Sequence, residues 1–470
     1  MDMKKLVSIL LALAMLFALV ACNGGTADDG ATPTPSDATP TEAEQVDYTE
    51  DGKYMNIPGS NGNDAWKLPA YTFPKNTVEI MSNIDQSQGY TENLDKFKAF
   101  RDGYQLKVEA NVVAAADALT KYMAACMSND APDIFQNSFQ PSLVNKGYAQ
   151  AWDEYIDFSI GLWDDLRDSV EMLRFKDKIY SVQADHARWD NALFYNVELF
   201  DELGLKTPTE YYEEGNWTWD TMRELAMQAT IDENGDGMPE VYGIAWTTGV
   251  QFVYSTGTSV TALDSSSELG AVNNTLSSDV ARAITFCTDL LTKDNCAISE
   301  NDLRADFAAG KIAMYSPYAY WYCFSWGDMM REGKLALVPF PKDPEADKYY
   351  VMEFFGAYYL GPNCENPQGA AAWVQSLIYD SLNKAEFEDV EKTDEERLEE
   401  GGVTKAIADM ITDMMYSEDK TPILYTDEMF RVTDYYGDLW FMPQTGEPWS
   451  AIAEYLSPMI DEKLQTAMEG

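Results

Sequence analysis

Hydrophobic and polar residues alternate along the middle of the chain with the periods of strands and helices in turn. A β-branched apolar run predicts a strand at Thr77–Met81, period-two alternation predicts one at Leu106–Val112, and another begins at Asp133–Phe135. Between these strands, apolar residues recur at helical spacing in Glu92–Arg101 and in Ala115–Met127. The order β-α-β-α-β predicts a mostly parallel sheet with helices on its two faces.

The same alternation continues through the second half of the chain. Strands are predicted at Leu193–Tyr195, Tyr242–Trp246, Ala336–Phe340 and Phe354–Leu360, and helices at Trp219–Gln228, Val280–Leu291, Asp302–Ala309 and Ala370–Tyr379. The charge-dense stretch Lys384–Glu400 is typical of a solvated helix or loop. These patterns predict an α/β protein, in which a ligand binds beyond the carboxyl ends of the strands.

The start of the chain has the parts of a signal peptide, predicted to span residues 1–22. Lys4 and Lys5 precede the apolar run Leu6–Val20, which is short for a transmembrane helix, and Leu19-Val20-Ala21-Cys22 closes it. This ending resembles the lipobox of bacterial lipoproteins, in which the thiol is lipidated and cleavage makes the cysteine the N-terminus. The resemblance implies that Cys22 holds the mature chain on the cell membrane, facing the extracellular side or the periplasm.

Residues 23–68 are predicted to form a disordered tether. The segment is rich in proline, threonine and acidic residues and its first half has no apolar periodicity. Such a composition cannot bury enough apolar surface to offset the entropy lost on ordering, and proline with like charge keeps it extended. We expect it to hold a folded body away from the membrane.

A strong negative charge narrows the choice of partners. The 470 residues carry a formal net charge of −46 and a single histidine. Such a surface argues against binding nucleic acid and against adhesion to anionic lipid, and it disfavours anionic small ligands unless a local basic pocket binds them. No second hydrophobic span follows the signal peptide, so we expect a water-soluble body.

Length and cysteine content bear on the architecture. The chain that remains after the tether exceeds what one hydrophobic core usually holds, which predicts two lobes. Without Cys22, an odd number of cysteines is left with no metal-like spacing, namely Cys126, Cys287, Cys296, Cys323 and Cys364. Cys287 and Cys296 could pair, but free, buried thiols are the favoured interpretation.

A series of short motifs then follows one order along most of residues 77–456. The motifs are Ala131–Ile134, Lys178–Val182, Leu193–Asn196, Trp217–Asp220, Phe307–Met314 and Val338–Pro341. Their order resembles that of the extracellular solute-binding proteins of ABC transporters, family 1, the group of maltose-binding-like sugar binders. Two positions depart from the family pattern: Asp177 stands where a glycine is usual and Gln183 where a proline is usual. These departures put the ligand in doubt more than the fold.

The resemblance implies a clamp of two lobes that closes on a ligand. One lobe would comprise residues 69–184 and 357–395, the other residues 190–352 and 400–470, with crossovers between them. The expected function is to bind a carbohydrate, in particular an oligosaccharide, and to deliver it to an ABC permease without catalysis. We expect a monomer that binds no nucleic acid.

A site for a neutral sugar requires aromatic rings that stack on the sugar and amide or carboxylate groups held in fixed positions. The resemblance places such groups at the ends of predicted strands and on the crossovers. Tyr318 aligns with a tryptophan on which the maltose-binding relative stacks its sugar. The candidate ligand-binding residues are Asn137 and Gln140, Asp185 and Trp189 on the first crossover, Trp246, Tyr318 and Trp321, and Glu353 on the second crossover.

The segment from Asp232 to Glu240 matches the first nine positions of an EF-hand calcium loop. Side-chain oxygens come from Asp232, Asn234, Asp236 and Glu240, and a backbone carbonyl from Met238. Position twelve is Gly243, so the usual bidentate glutamate is missing. A polar turn rich in glycine and aspartate is the alternative interpretation. Because clustered carboxylates repel one another, we expect a structural Ca²⁺ here and no catalytic cofactor.

Other functions remain open on the sequence alone. An acidic pocket at Asp185, Asp190 and Glu353 would suit a polyamine, and a peptide is a further candidate ligand. A surface glycoside hydrolase would use a pair of carboxylates, which inspection cannot single out among 79 acidic residues. A structural surface protein would be expected to show repeats. His186, alone in the sequence, supports neither a catalytic triad nor a metal site.

Overall fold

The computed structural model describes residues 47–48, 52–56, 68–87, 99–184, 188–189, 192–300, 302–317, 326–354, 357–382, 410, 420–427 and 429–469. Cys22, Cys323 and most of the predicted tether lie outside these residues. So do most of the predicted helix Glu92–Arg101 and the charged stretch Lys384–Glu400. Within the part of the chain that is described, no helix is long and apolar enough to cross a bilayer.

Strands and helices alternate through these residues. The strands are β1 (Asp47–Tyr48), β2 (Met55–Asn56), β3 (Thr77–Ser82), β4 (Lys107–Val112), β5 (Ile134–Asn137), β6 (Arg174–Phe175), β7 (Lys178–Ile179), β8 (Ser181–Val182), β9 (Arg188–Trp189), β10 (Ala192–Asn196), β11 (Tyr242–Trp246), β12 (Thr261–Leu263), β13 (Ala271–Asn273), β14 (Ala297–Ser299), β15 (Ile312–Ser316), β16 (Leu335–Pro339), β17 (Tyr349–Phe354), β18 (Ala357–Leu360) and β19 (Lys420–Leu424).

The α-helices are α1 (Ala115–Met127), α2 (Pro141–Asn145), α3 (Arg167–Met172), α4 (Val197–Leu203), α5 (Pro208–Glu213), α6 (Trp219–Ala229), α7 (Val250–Tyr254), α8 (Ser278–Thr292), α9 (Arg304–Ala308), α10 (Gly327–Arg331), α11 (Pro367–Leu382) and α12 (Trp449–Glu469). Short 3₁₀ or π turns occupy Ala99–Gly103, Trp152–Glu154, Gly161–Leu166, Val432–Tyr435, Gly437–Phe441 and Met442–Thr445.

The first lobe is built on a five-stranded sheet in the order β4-β3-β5-β18-β8. Strand β3 is parallel to β4 and β5, whereas β18 is antiparallel to β5 and β8. Only β18 therefore runs against the others, which confirms the predicted mostly parallel sheet. Its core includes a T-shaped contact at 5.0 Å between Phe100 and Trp373 of α11, which packs on the sheet.

The second lobe repeats this arrangement with different strands. Its sheet has the order β14-β11-β15-β10-β16, in which β11 is parallel to its neighbours and β10 is antiparallel to β15 and β16. The reversed strand again occupies the fourth position. Helix α6 packs so closely on β11 that a Cβ at Gly243 would lie 1.8 Å from the carbonyl oxygen of Ala226. Glycine is therefore required at that crossing.

Local capping explains where the helices of the second lobe begin. The Asn196 side chain accepts the amide of Leu199 at the start of α4, and Thr218 and Thr221 form a reciprocal capping box at the start of α6. Thr207 and Glu210 form the same box at α5, where proline occupies the first turn. These caps satisfy amides that the first helical turn leaves without a partner.

A small third sheet joins the two lobes. Its order is β19-β17-β9, with β17 parallel to β19 and antiparallel to β9. Strand β9 lies on the connection from β8 to β10, and β17 precedes the connection to β18. The sheet is thus assembled from segments that pass between the lobes, and we refer to it as the hinge sheet.

The lobes also touch away from the hinge sheet, through the C-terminal helix. Helix α12 is held on the second lobe by Asn273, whose amide donates to the Ser457 carbonyl at 2.9 Å and to Asp461 at 2.8 Å. Its last turn packs on α2 of the first lobe, where the Asn145 side-chain amide donates to the carbonyl of Met468. That carbonyl has no partner within its own helix, so a residue of one lobe caps a helix of the other.

Two predicted strands differ from the structure. The run Phe354–Leu360 belongs to two strands in different sheets, β17 and β18. In the sequence the break is marked only by Gly356, within an otherwise apolar run. In the strand predicted at Leu106–Val112, Leu106 and Val108 are buried but Val112 is 54% exposed. Strand β4 is at the edge of its sheet, where a strand has a neighbour on one side only.

The Ala131–Ile134 motif has a structural role at the start of β5. The buried Asp133 carboxylate accepts the Glu79 amide at 3.0 Å and the Cys364 thiol at 3.2 Å, and its ion pair with Lys75 is 2.9 Å long. It therefore ties together β3, β5 and the turn after β18. The cysteines among the described residues, Cys364 included, are free thiols, as predicted.

Candidate functional site

The connections between the lobes leave each sheet at its carboxyl edge. In the first sheet, Ala357 at the start of β18 pairs with Asn137 at the end of β5. In the second, Ala192 at the start of β10 pairs with Pro339 at the end of β16. Because β10 and β18 are the reversed strands, the carboxyl ends of the others face the hinge sheet in both lobes. This is where an α/β fold binds its ligands.

The first-lobe edge carries a loop of polar side chains, Asn137–Gln140, directly after β5. The half-buried Asn137 accepts the amide of Ser138 at 2.8 Å, and the Gln140 side chain donates to the Ser138 hydroxyl at 3.3 Å. Next to it, Gln86 donates to Gln136 at 2.9 Å. These groups form a row of amides and hydroxyls that present both donors and acceptors.

Beneath this loop lies a column of aromatic rings. Tyr122 stacks on Phe135 at 4.0 Å, Phe135 lies 6.1 Å from Tyr359, and Tyr359 lies 6.3 Å from Phe139. Phe139 is buried, whereas its neighbours in the loop are half-buried. The loop is therefore anchored by an apolar side chain on one side and leaves Asn137, Ser138 and Gln140 at the surface.

The second-lobe edge is also formed by neutral polar residues. After β11, the Thr247 hydroxyl lies 3.2 Å from the Tyr315 hydroxyl. The fully buried Gln251 donates to the Pro317 carbonyl at 3.3 Å. The Gln251 side-chain oxygen and the Thr248 hydroxyl have no hydrogen-bond partner among the residues described. Buried groups of this kind are normally satisfied by water or by a ligand.

Charged side chains are sparse in three of the loops at these two edges, whereas the residues that follow β14 and β16 include Glu300 and Lys342. The segments Asn83–Ser87, Asn137–Gln140 and Thr247–Gln251 contain one charged residue, Asp85, and no basic residue. Asp85 accepts the Ser87 amide at 2.9 Å and the Ser87 hydroxyl at 2.6 Å, which is a local turn interaction. These three loops therefore suit a neutral ligand rich in hydroxyl groups better than an anion.

The structure brings two predicted site residues into register. Glu353 of β17 lies directly opposite Trp189 of β9, so both positions belong to the hinge sheet. Asn137 and Gln140 share the first-lobe edge. Trp246 ends β11 at the expected edge, but its side chain is only 2% exposed and packs against Phe252 at 5.1 Å. In this structure Trp246 is a core residue and offers no face for stacking.

Three other predicted residues, Asp185, Tyr318 and Trp321, lie outside the described residues. Sequence reasoning also overlooked Gln86, Gln136 and Gln251. Gln136 follows the buried residues Ile134 and Phe135 on β5, and this change from apolar to polar could have marked it as a side chain at a strand end. Gln251 lies within a short apolar helix. It is distinguished by the complete burial of its side-chain amide, and burial cannot be read from the sequence.

A buried carboxyl group follows β19 of the hinge sheet. Asp427 is 0% exposed, and its Oδ2 accepts the Tyr436 hydroxyl at 2.9 Å. Its Oδ1 has no partner among the described residues. Burial without a positive partner raises the pKa of Asp427 to about 7. The Tyr436 hydroxyl also lies 2.9 Å from that of Tyr425.

The predicted calcium loop is folded as a series of tight turns. Asp232 accepts the amides of Gly235 at 2.8 Å and Gly237 at 3.0 Å, and Asn234 and Asp236 accept the amides two residues on. Glu240 accepts the Asn234 side-chain amide at 2.7 Å. Both glycines have positive φ, as the turns require.

Side-chain oxygens are present in the loop, as a Ca²⁺ site would need. The oxygens of Asp232, Asn234 and Asp236 accept backbone amides within the loop. Yet among the described residues no three histidine, cysteine, aspartate or glutamate side chains converge as a metal site would require. The calcium site stays a prediction.

The sequence matches a known protein family. Residues 82–377, more than half of the sequence, match the family profile described as bacterial extracellular solute-binding protein. No curated protein matches the sequence closely.

Many solved structures share the fold. An ABC substrate-binding protein of Listeria monocytogenes, in complex with cycloalternan, is 17% identical over 83% of this chain and 98% of its own, with a TM-score of 0.56. A cyclic α-maltosyl-1,6-maltose binding protein of Arthrobacter globiformis is 16% identical over 83% and 99%, with a TM-score of 0.58. The M. tuberculosis protein UspC is 14% identical over 82% and 100%, with a TM-score of 0.59. At these identities the likeness shows the two-lobed fold.

Proposed function

The chain belongs to the bacterial extracellular solute-binding proteins, and from that premise we propose that it binds a carbohydrate, in particular an oligosaccharide, between its two lobes and delivers it to an ABC permease. The observation that carries the proposal is the pair of carboxyl edges at the hinge sheet, where the loops Asn83–Ser87, Asn137–Gln140 and Thr247–Gln251 contain amides and hydroxyls and no basic residue.

Sugar hydroxyls match such a surface chemically. Each hydroxyl can donate one hydrogen bond and accept two, and side-chain amides offer both functions with fixed geometry. A net hydrogen bond contributes only about 0.5–1.5 kcal/mol, but a buried group left unpaired costs about 1–3 kcal/mol. The Thr248 hydroxyl, which is 9% exposed and has no partner among the described residues, would therefore favour a ligand that supplies one.

Stacking on aromatic rings would supply the rest of the affinity. The proposed stacking rings are those of Trp189, Tyr318 and Trp321. The proposed hydrogen-bond acceptors on the crossovers are Asp185 and Glu353. The register of Trp189 opposite Glu353 supports placing them together. The relatives named above include one in complex with cycloalternan and one that binds cyclic maltosyl-maltose, and another solved neighbour has mannotriose bound. Those ligands define the class to test first.

Closure around the ligand is the proposed mechanism. The lobes would rotate about the hinge sheet, and a ligand that contacts both edges stabilises the closed state by its differential affinity. The permease would then recognise the closed form. Binding and release suffice for this role, so we propose that the protein performs no catalysis.

We further propose that Cys22 anchors the chain to the membrane, that the part of residues 23–68 before β1 acts as a tether and that the body is a monomer. The end of this segment belongs to the folded body, because β1 pairs with β2 and both Met55 and Leu68 are buried in the core of the first lobe. The proposed lobes comprise residues 69–184 with 357–395 and residues 190–352 with 400–470. Tethering would raise the effective concentration of the binder near its transporter.

A thermal-shift panel tests the ligand class. Mannotriose, cycloalternan, acarbose, maltotriose, a tripeptide and spermidine would each be added to the purified chain. A binder gains about 2.7 kcal/mol of stability when the ligand concentration is 100 times Kd. A rise in Tm with one or more of the carbohydrates is expected. A shift with spermidine or peptide alone would overturn the carbohydrate assignment.

Two substitutions and one product assay complete the test. Trp189→Ala and Tyr318→Ala should each abolish the carbohydrate-induced shift while the unliganded Tm stays close to that of the wild type. Unchanged ligand responses in both variants would remove these residues from the site. Chromatography of the carbohydrates after incubation should recover them intact, whereas cleavage that survives purification would favour the glycoside hydrolase alternative.

A further inference from the structure

The loop Asn137–Gln140 is held by one tyrosine of another strand. Tyr359 lies on β18, opposite Phe135 of β5, and is 0% exposed. Its hydroxyl donates to the carbonyl of Ser138 at 3.2 Å and accepts the backbone amide of Gln140. Its ring stacks on Phe139 at 6.3 Å with an interplanar angle of 8°.

A single side chain thus contacts three successive residues of the loop. A loop of this length could adopt many backbone conformations, and two hydrogen bonds plus one ring contact remove most of that freedom. Burial raises the pKa of Tyr359 far above its usual range, so the hydroxyl keeps its proton and remains a donor. Neither contact involves a ligand, because both are made to the loop backbone.

The position of Tyr359 links this loop to the hinge. Strand β18 begins at Ala357, two residues before Tyr359, where the connection from β17 of the hinge sheet enters the first lobe. Tyr359 also pairs with Ser181 of β8, the strand from which the other described connection leaves. The loop is therefore held by β18, which is connected to the hinge sheet and pairs with β8, as well as by β5.

We propose that Tyr359 is a positioning residue for ligand binding: its hydroxyl fixes the backbone of Asn137–Gln140 so that the loop's side chains meet the ligand in one arrangement. The proposal rests on the proposed function, which assigns this loop to the ligand. It requires no contact between Tyr359 and the ligand. It predicts that the hydroxyl matters for affinity although it is buried.

The test is Tyr359→Phe, which keeps the ring and removes the hydroxyl. Tyr122→Phe is the matched control, because Tyr122 is equally buried in the same column of rings but donates to the carbonyl of Tyr148, outside the loop. Both variants lose one buried hydroxyl, so a general loss of stability should be similar in the two.

The first readout needs no ligand. Amide hydrogen exchange of the ligand-free full chain, followed in peptides covering residues 138–146, should become about three- to tenfold faster in Tyr359→Phe, because the Gln140 amide loses its acceptor. In Tyr122→Phe the same peptides should exchange within about twofold of the wild type. Unchanged exchange in Tyr359→Phe, or equal acceleration in both variants, would overturn the proposal.

The second readout is affinity for mannotriose or, if mannotriose does not bind, for the carbohydrate with the largest thermal shift. Kd should rise about three- to tenfold in Tyr359→Phe and stay within about twofold in Tyr122→Phe. Faster loop exchange with an unchanged Kd would also overturn the positioning role. If no carbohydrate binds the wild type, the carbohydrate proposal fails, whereas the exchange comparison still decides whether Tyr359 holds the loop.

Discussion

Replacing Asp427 by asparagine should change how the stability of the protein depends on pH. Asp427 is fully buried, one of its oxygens accepts the Tyr436 hydroxyl, and the other has no partner among the described residues. Its pKa in the folded state is raised to about 7, from a usual value of 3.8. The folded chain therefore binds a proton between about pH 4 and pH 7 that the unfolded chain has released.

The sign and size of the effect follow from this difference. Because the folded pKa of this acid lies above the unfolded one, its contribution to stability is fully present below about pH 4 and is lost as the pH rises through about 7. One pKa unit corresponds to about 1.36 kcal/mol, so the total loss is on the order of 4 kcal/mol. Asparagine does not titrate and should remove this loss. Its amide would leave a donor without an acceptor, which costs about 1–3 kcal/mol at every pH.

Urea unfolding, followed by tryptophan fluorescence at pH 5, 6, 7 and 8, measures the effect. The free energy of unfolding of Asp427→Asn minus that of the wild type should rise by about 2–3 kcal/mol from pH 5 to pH 8. Asp343→Asn is the matched control, because Asp343 is equally buried but pairs with Arg282. That substitution should lower stability, since it leaves a charged partner behind. Parallel pH curves for Asp427→Asn and the wild type would refute the reasoning.

Three further predictions concern the lobes, the metal and the anchor. Asn145→Ala removes the cap on the Met468 carbonyl and should weaken the contact between the lobes by about 1 kcal/mol. Small-angle scattering of the ligand-free protein should then show a larger radius of gyration. Asn273→Ala acts within the second lobe and should leave the radius of gyration unchanged. If Ca²⁺ binds the loop from Asp232 to Glu240, millimolar chelator should lower the Tm of the wild type but not of Asp232→Asn, and an unchanged wild-type Tm would remove the metal. Cys22→Ala should move the protein from the membrane fraction to the medium or periplasm, and retention in the membrane would contradict lipidation.

Strong apolar periods were sufficient to predict much of the order of strands and helices, but not β15, the central strand of the second-lobe sheet, or the C-terminal helix α12. Helix α1 begins and ends at the predicted residues, Ala115 and Met127, and strand β11 matches at Tyr242 and Trp246. The boundary between β17 and β18 escaped prediction because apolar residues continue across it. The sheet to which a strand belongs is decided by its pairing with distant segments, and the hydrophobic period of the strand itself does not show that pairing.

The candidate site was harder to predict for a related reason. Strand ends could be located, so Asn137 and Gln140 were placed at the correct edge. Whether a side chain at such an end faces the ligand or the core depends on how the lobe packs, and Trp246 is buried against Phe252. The role of Tyr359 had no sequence signal at all, because its partners lie more than 200 residues away.

The hinge and the ligand edges occupy the same part of this fold, and that limits which ligands can close it. Shifting a clamp from 1% to 99% closed requires about 5.5 kcal/mol of differential binding. At about 1 kcal/mol for each net hydrogen bond, on the order of five bonds must form only in the closed state. The described edges offer amides and hydroxyls on both lobes, among them Gln136, Asn137, Thr247 and Thr248. A single sugar ring shared between two lobes leaves few hydroxyls for each edge, so hydrogen bonding alone favours a ligand of several rings. A short sugar could close the lobes only if stacking on the crossover aromatics supplied the difference.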